Sequence, residues 1–128
     1  MSHETVDYLS VDDLLEIAAE VLPVVQIRDA GLLGAAAARP SSSAFGAEAY
    51  PSFAEKTAAL LHSLARNHAL VDGNKRLAWS ASRVFCLLNG RDVELGVDEA
   101  EAMVVGAAAG ELDVPRLGRI ISASLRDA

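Results

Sequence analysis

Six residues able to build a site fall within nine positions of this chain, His68, Asp72, Gly73, Asn74, Lys75 and Arg76, in a segment flanked by stretches built largely of Ala and Leu. Their order has an electrostatic peculiarity. The N-terminus of a helix carries about half a positive charge and ordinarily attracts acids, yet Lys75 and Arg76 would sit in the first turn of any helix starting at Asn74. Something anionic should compensate. Gly73 lets the backbone turn tightly, the unpaired N–H groups of the new helix point outward, and two cations flank them, an arrangement that suits a phosphate group. Asp72 could orient a neighbour or, as a hard oxygen ligand, hold Mg²⁺ against that phosphate. An imidazole with an ordinary pKa near 6.5 can take a proton from an incoming hydroxyl. His68 therefore fits the general base of a phosphoryl or nucleotidyl transfer. Taken singly, each residue has a plainer reading: a helix-end histidine, an N-cap aspartate, a turn glycine. The coincidence of all six argues for a site, and Arg66 stands either beside it or on ordinary helix surface.

The elements that must position these residues read as helices. Ser10 and Asp13 cap an amphipathic run, Val11, Leu14, Leu15, Ala18, Val21 and Leu22, which Pro23 ends. Asp29 caps a second helix over residues 30–39. Pro40 to Gly46 reads as an exposed loop able to hold a short hairpin, ending at Tyr50 and Pro51. Pro51 suits the first turn of a third helix, with Leu60, Leu61 and Leu64 on one face, running to about His68. A fourth spans 74–89 with the stripe Leu77, Ala81, Val84 and Leu88, and Gly90 stops it. Its further apolar residues, Ala78 and Phe85, mark it as the central helix. Arg91 to Leu95 reads as extended. Asp98 with Glu101 opens a fifth helix ending at Gly110, and Asp113 with Pro115 opens a sixth carrying Leu117, Ile120, Ile121 and Leu125.

Composition agrees with an all-α chain. The 128 residues suit one domain, 1–128, and 52% hydrophobic residues with only 5% aromatic and much Ala favour close-packed helices. Cys86 is the lone cysteine and can close no internal disulfide; with no leader-like N-terminus, a cytoplasmic location is expected. The longest apolar run, Ala102 to Ala109, is far below the roughly 18 residues that span a bilayer, so no membrane insertion is expected. The net charge of −7 argues against direct nucleic-acid binding. Charge is unevenly spread, with six acids and no Lys or Arg before residue 28 but five bases and one acid between Arg66 and Arg91. Cys86, Trp79 and Met103 read as packing residues, His62 as a surface or core polar group, and His3 as part of a mobile terminus.

The run His68-x-x-x-Asp72-Gly73-Asn74-Lys75-Arg76 resembles the central motif of the Fic/Doc superfamily, His-x-Phe-x-Asp/Glu-Gly/Ala-Asn-Gly/Lys-Arg. The likeness extends upstream through residues 28–33, 37–40 and 49–56, and downstream through Asn89-Gly90 and residues 106–112. Within the superfamily the chain is most similar to the Doc (death-on-curing) toxins, which carry Lys where nucleotidyl-transferring relatives have Gly. They also lack a second Arg three residues on, where Trp79 stands here. This resemblance implies a small all-α toxin paired with a Phd-type antitoxin, a kinase that moves the γ-phosphate of ATP to a threonine of elongation factor Tu. A protein adenylyltransferase and a non-catalytic nucleotide- or antitoxin-binding module are the alternatives. It further implies His68 as catalytic base, Asp72 as orienting group or Mg²⁺ ligand, and Arg66 as an accompanying arginine. Gly73, Asn74, Lys75 and Arg76 would hold ATP phosphates. Ser43, Phe45, Gly46 and Tyr50 would belong to a flap that aligns an extended target segment. No Glu precedes Gly or Asn, as the superfamily's inhibitory helix requires, so inhibition would come from the disordered C-terminal segment of the antitoxin folding into a groove. The chain departs from the motif at Leu70, where an aromatic is usual, and at Ala69, where Pro is usual; the smaller anchor implies a loop looser by about 1–2 kcal/mol.

Overall fold

A computed structural model describes residues 5–128; His3 and Glu4 lie outside them. Six helices carry the fold: α1 (Val11–Val21), α2 (Ala30–Ala38), α3 (Phe53–Arg66), α4 (Asn74–Leu88), α5 (Val97–Ala108) and α6 (Val114–Ser124). A 3₁₀ turn, Arg39–Ser41, continues α2. Two small antiparallel ribbons complete the described residues, β1 (Ser43–Ala44) with β2 (Ala47–Glu48) and β3 (Arg91–Val93) with β4 (Leu125–Asp127). The all-α expectation holds. No helix among the described residues is long and apolar enough to cross a membrane.

Local chemistry sets most boundaries. The Ser10 hydroxyl accepts from the Asp13 amide at 3.1 Å while the Asp13 carboxylate accepts from the Ser10 amide at 2.8 Å, a reciprocal cap. Asp29 and Asp113 cap α2 and α6 as expected. Two starts differ from expectation. α3 is capped by Ser52 with Glu55, and Pro51 stays outside it. α5 starts at Val97, where the Glu99 carboxylate accepts from the Gly96 amide, two residues earlier than Asp98 with Glu101 implied. The other end of α3 differs too: it stops at Arg66, short of His68.

α3 is the central helix, and α4 is not. Ten of the 14 residues of α3 are buried, against seven of 15 in α4. Ala54, Ala58, Ala59 and Ala65 make the difference, because small side chains let α4, α5, α6 and the 3₁₀ turn close on it from several sides. The inner face of α4 is Leu77, Ala78, Ala81, Ser82, Phe85 and Cys86, so Val84 and Leu88 of the expected stripe point to solvent, 38% and 50% exposed. Phe85 stacks on Phe53, centroids 4.9 Å apart, and on Tyr8 at 6.0 Å. Trp79 is only partly buried. Pro40, expected in an exposed loop, is buried. Leu125, expected in the last helix, instead opens β4 and pairs with Val93. Leu14, Ala18, Leu33, Ala36, Met103, Val93, Leu117 and Ile121 join the same cluster as the α3 and α4 side chains.

Candidate functional site

The segment between α3 and α4 is short and held from three directions. Beyond the α3 C-cap at Asn67, the backbone of His68 swings into the left-handed region at φ 53°. The next residues turn inward, with Ala69 3% and Leu70 1% exposed. Leu70 thus fills the anchoring position despite lacking an aromatic ring. Its backbone is gripped by Asn74: the Leu70 amide donates to Asn74 Oδ1 at 3.0 Å and Asn74 Nδ2 donates to the Leu70 carbonyl at 2.9 Å. From outside, residues 26–29 lie along the loop like a strand. Val71 N–H donates to Gln26 O at 2.9 Å, and both Arg28 and Asp29 amides donate to Ala69 O, at 2.8 and 3.0 Å. The Arg28 guanidinium completes the hold, Nε on His68 O at 2.6 Å and a terminal nitrogen on Asn67 O at 3.2 Å.

Gly73 is the N-cap of α4, not Asp72. Its φ of 85° is one that side-chain-bearing residues rarely adopt, and a β-carbon there would lie 2.5 Å from Leu22 Cδ2. No side chain caps α4, so the N–H groups of its first turn face outward. The first turns of α1, α3 and α5 all carry acids; α4 carries none, and has Lys75 and Arg76 there instead. Both cations are exposed, and a terminal nitrogen of Arg76 reaches the Val21 carbonyl at 3.3 Å, tying the site to the end of α1. An exposed, oriented set of N–H donors with two flanking cations has the chemistry that suits an anion.

His68, Asp72, Gly73, Asn74, Lys75 and Arg76 all line one open cleft of about 1160 Å³, whose far wall is Leu95, Val97, Val104, Val105 and Ala108. Trp79 and Arg83 stand on its floor along α4. The fold therefore brings all six of these residues together in one cleft. Asn74 contributes its backbone more than its amide, since its side chain is buried and committed to Leu70. Asp72 is exposed and accepts from the Gly73 amide through Oδ1 at 2.8 Å, which leaves Oδ2 without a partner among the described residues. One carboxylate oxygen beside an anion nest fits Mg²⁺, which keeps several waters and takes one or two carboxylates together with substrate phosphates.

The remaining candidates lie elsewhere. Arg66 is not part of the cleft lining; its guanidinium donates to Ala108 O at 3.1 Å and lies over Gly110. Ser43, Phe45, Gly46 and Tyr50 also lie outside the lining. The first three form the hairpin β1–β2, whose turn Phe45–Gly46 has positive φ at both residues, the geometry that matches strand twist. Tyr50 is half-buried at the base, its hydroxyl accepting from Arg39 Nε at 2.8 Å. Arg39 also bonds His62 Nδ1 at 2.9 Å and Ser63 Oγ at 3.0 Å. Lys56, 3% exposed, holds the hairpin base through Glu48 at 2.9 Å and the Tyr50 carbonyl. Sequence reasoning missed Arg28 as part of the architecture of the loop. The signal available was that it is the first Lys or Arg of the chain, in a segment otherwise acidic.

Three titrating groups are displaced outside the cleft; at Asp92, hydrogen bonds from Arg83 and the Val93 amide hold the carboxyl below its usual range. Burial, then the positive charges of Arg39 and Arg66, holds His62 below the usual imidazole range. Burial pushes the Cys86 thiol up to about 11.

Comparison with known proteins gives two matches. Residues 8–86, from before α1 to the end of α4's buried face, match the profile of the Fic/DOC family. A protein of Mycolicibacterium smegmatis named toxin Doc is 44% identical over 111 residues, which cover 84% of this chain and 85% of that protein.

Proposed function

The chain belongs to the Fic/DOC family, and from that premise we propose that it is the toxin of a toxin–antitoxin pair. Its proposed activity is transfer of the γ-phosphate of ATP to a threonine hydroxyl of elongation factor Tu, which would halt translation. The observation that carries the transfer chemistry is the uncapped, acid-free N-terminus of α4, with Lys75 and Arg76 in its first turn and His68 in the same cleft. The relative named toxin Doc supports the toxin role. Lys75, in place of the Gly of nucleotidyl-transferring members, and Trp79, in place of their second Arg, favour transfer of the terminal phosphate.

In this mechanism the first-turn amides of α4, including that of Asn74, and the cations of Lys75 and Arg76 bind and orient the phosphates. His68 takes the proton of the threonine hydroxyl as its oxygen bonds the γ-phosphorus; the bond from that phosphorus to the bridging oxygen breaks, and ADP leaves with the electron pair. Asp72 would hold Mg²⁺, which when bound neutralises phosphate charge. The hairpin bearing Ser43, Phe45, Gly46 and Tyr50 aligns the target segment. Arg66, braced on the Ala108 carbonyl at the end of α5, would accompany the site as a further cation outside the cleft lining. The apolar wall of the cleft, Leu95, Val97, Val104 and Val105, suits the apolar residues of a Phd-type antitoxin segment that folds on binding.

The test is incubation with elongation factor Tu, Mg²⁺ and ATP labelled on either the α- or the γ-phosphate, with a His68→Ala control. Label from γ alone, lost in the control with ATP affinity retained, is the expected result. Label from α alone makes the protein an adenylyltransferase, and label from neither overturns catalysis on this target.

A further inference from the structure

His68 and Phe45 are the non-glycine residues with positive φ among those described, at 53° and 54°. Phe45 has a local reason, since the two-residue turn of β1–β2 demands it. His68 has none. Nothing in the turn after α3 requires a left-handed residue to be histidine, and asparagine or glycine adopts this conformation at lower cost. Such a conformation persists in a larger side chain only where the surroundings over-determine it.

The restraint can be traced. Ala69 and Val71 are held by backbone bonds from residues 26–29, and Leu70 by Asn74, but these act one to three residues further on. The carbonyl of His68 itself is taken by Arg28 Nε at 2.6 Å, and the carbonyl before it by the terminal nitrogen on the same edge of that guanidinium, at 3.2 Å. Two donors in a rigid planar fork fix the relative direction of two successive carbonyls, which the single ammonium of lysine cannot do. The orientation of the peptide planes on either side of a residue is its φ and ψ. A right-handed His68 would continue the spiral of α3 and carry the imidazole around the helix surface, away from the cleft it now lines.

We propose that Arg28 is a positioning residue for His68, whose fork on the Asn67 and His68 carbonyls locks the left-handed backbone that directs the imidazole into the cleft. The proposal rests on the reading of His68 as the base, and deepens it by naming what aims that base. Arg28 touches no reacting atom in this scheme and acts only through the His68 backbone.

The test uses the full chain with Arg28→Gln and Arg28→Lys. Residual dipolar couplings of the His68 N–H and Cα–Hα bonds report its backbone geometry without any turnover, and steady-state transfer from ATP reports kcat and the KM for ATP. The expected result for Arg28→Gln is a shift of the His68 couplings away from the left-handed values. A fall in kcat of about tenfold to a hundredfold should accompany it, with the KM for ATP within about twofold because the α4 nest is untouched. Arg28→Lys, with its charge but no fork, should recover little of either. Wild-type couplings at His68 in Arg28→Gln would overturn the proposal, as would full recovery of kcat by Arg28→Lys, which would reduce the contribution of Arg28 to its charge. Should Arg28→Gln fail to fold, the couplings in Arg28→Lys decide: shifted supports the lock, unchanged refutes it. Absence of transfer by the unaltered protein would sink the kinase reading alone, because the couplings still decide the geometry.

Discussion

Replacing Gly73 by alanine tests the architecture of the α4 N-terminus in two separable ways. The backbone φ of 85° costs an L-residue about 1–2 kcal/mol relative to glycine. The new methyl would also stand 2.5 and 2.8 Å from the two δ-carbons of Leu22, forcing that side chain to move. Overpacking of this kind costs about 1–3 kcal/mol, and the lower half applies because Leu22 is only partly buried and can rotate. The expected loss is therefore about 2–4 kcal/mol, or a fall in Tm of roughly 8–16 °C for a domain of this size. Chemical unfolding followed by circular dichroism gives the loss directly, provided the slope with denaturant is unchanged. Leu22→Ala removes the obstruction and nothing of the φ strain. In the double variant the steric part should vanish, making it less destabilised than the sum of the singles by about 1–2 kcal/mol. Strict additivity of the two changes, or a loss below about 1 kcal/mol for Gly73→Ala alone, would refute the account of why glycine stands there.

Lys56→Met removes the cation beneath the hairpin while keeping much of its length, so hydrogen exchange at Ala44 and Ala49 should accelerate and the KM for the protein target should rise with that for ATP unchanged. Cys86, its thiol pushed up to about 11 by burial, should resist alkylation in the native protein at pH 8 and react once unfolded. The same displacement means that the unfolded thiol ionises first, so stability is full below about pH 9 and declines as pH rises toward 11. His62 is shifted the other way: its contribution is present above the ordinary imidazole value near 6.5 and is lost as pH falls, because the unfolded chain takes up a proton that the folded one resists. A titration of unfolding free energy between pH 7.5 and 5.5 should lose that part of its slope in His62→Gln.

How much of this was legible beforehand differs by kind of signal. Caps that combine a short polar side chain with a carboxylate three residues on, as Ser10 with Asp13, read directly, because both partners are local. The start of α3 did not, since Pro51 and Ser52 are adjacent and both suit a helix start; the reciprocal bond of Ser52 with Glu55 settles it. The buried face of α4 was misread because Val84, Leu87 and Leu88 make the helix apolar on more than one side. Only the positions of α1, α3 and α5 choose between them. β4 needs β3 as a partner and carries no signal alone. At the candidate site, residue types and spacing indicated an anion nest, but not that the Asn74 amide would be spent on Leu70. Nor could they show that Arg28, 40 residues earlier, would hold the His68 carbonyl. Side chains with several hydrogen-bonding options declare their partner only in three dimensions.

The turn after α4 ties down both ends of the described chain. Asn89 exchanges two hydrogen bonds with the backbone of Asp7, at 2.8 and 2.9 Å, and the next residue, Gly90, accepts from the Ala128 amide at 3.0 Å through its carbonyl. Segments 121 residues apart in sequence are thus moored to consecutive residues. Residues 7–128 form, in effect, a ring with a missing link. A short peptide joining residue 7 to residue 128 would bridge two points the fold already holds at one turn, and residues 7–128 could then be opened at the exposed hairpin tip, Phe45–Gly46, with the order of the six described helices preserved around the circle.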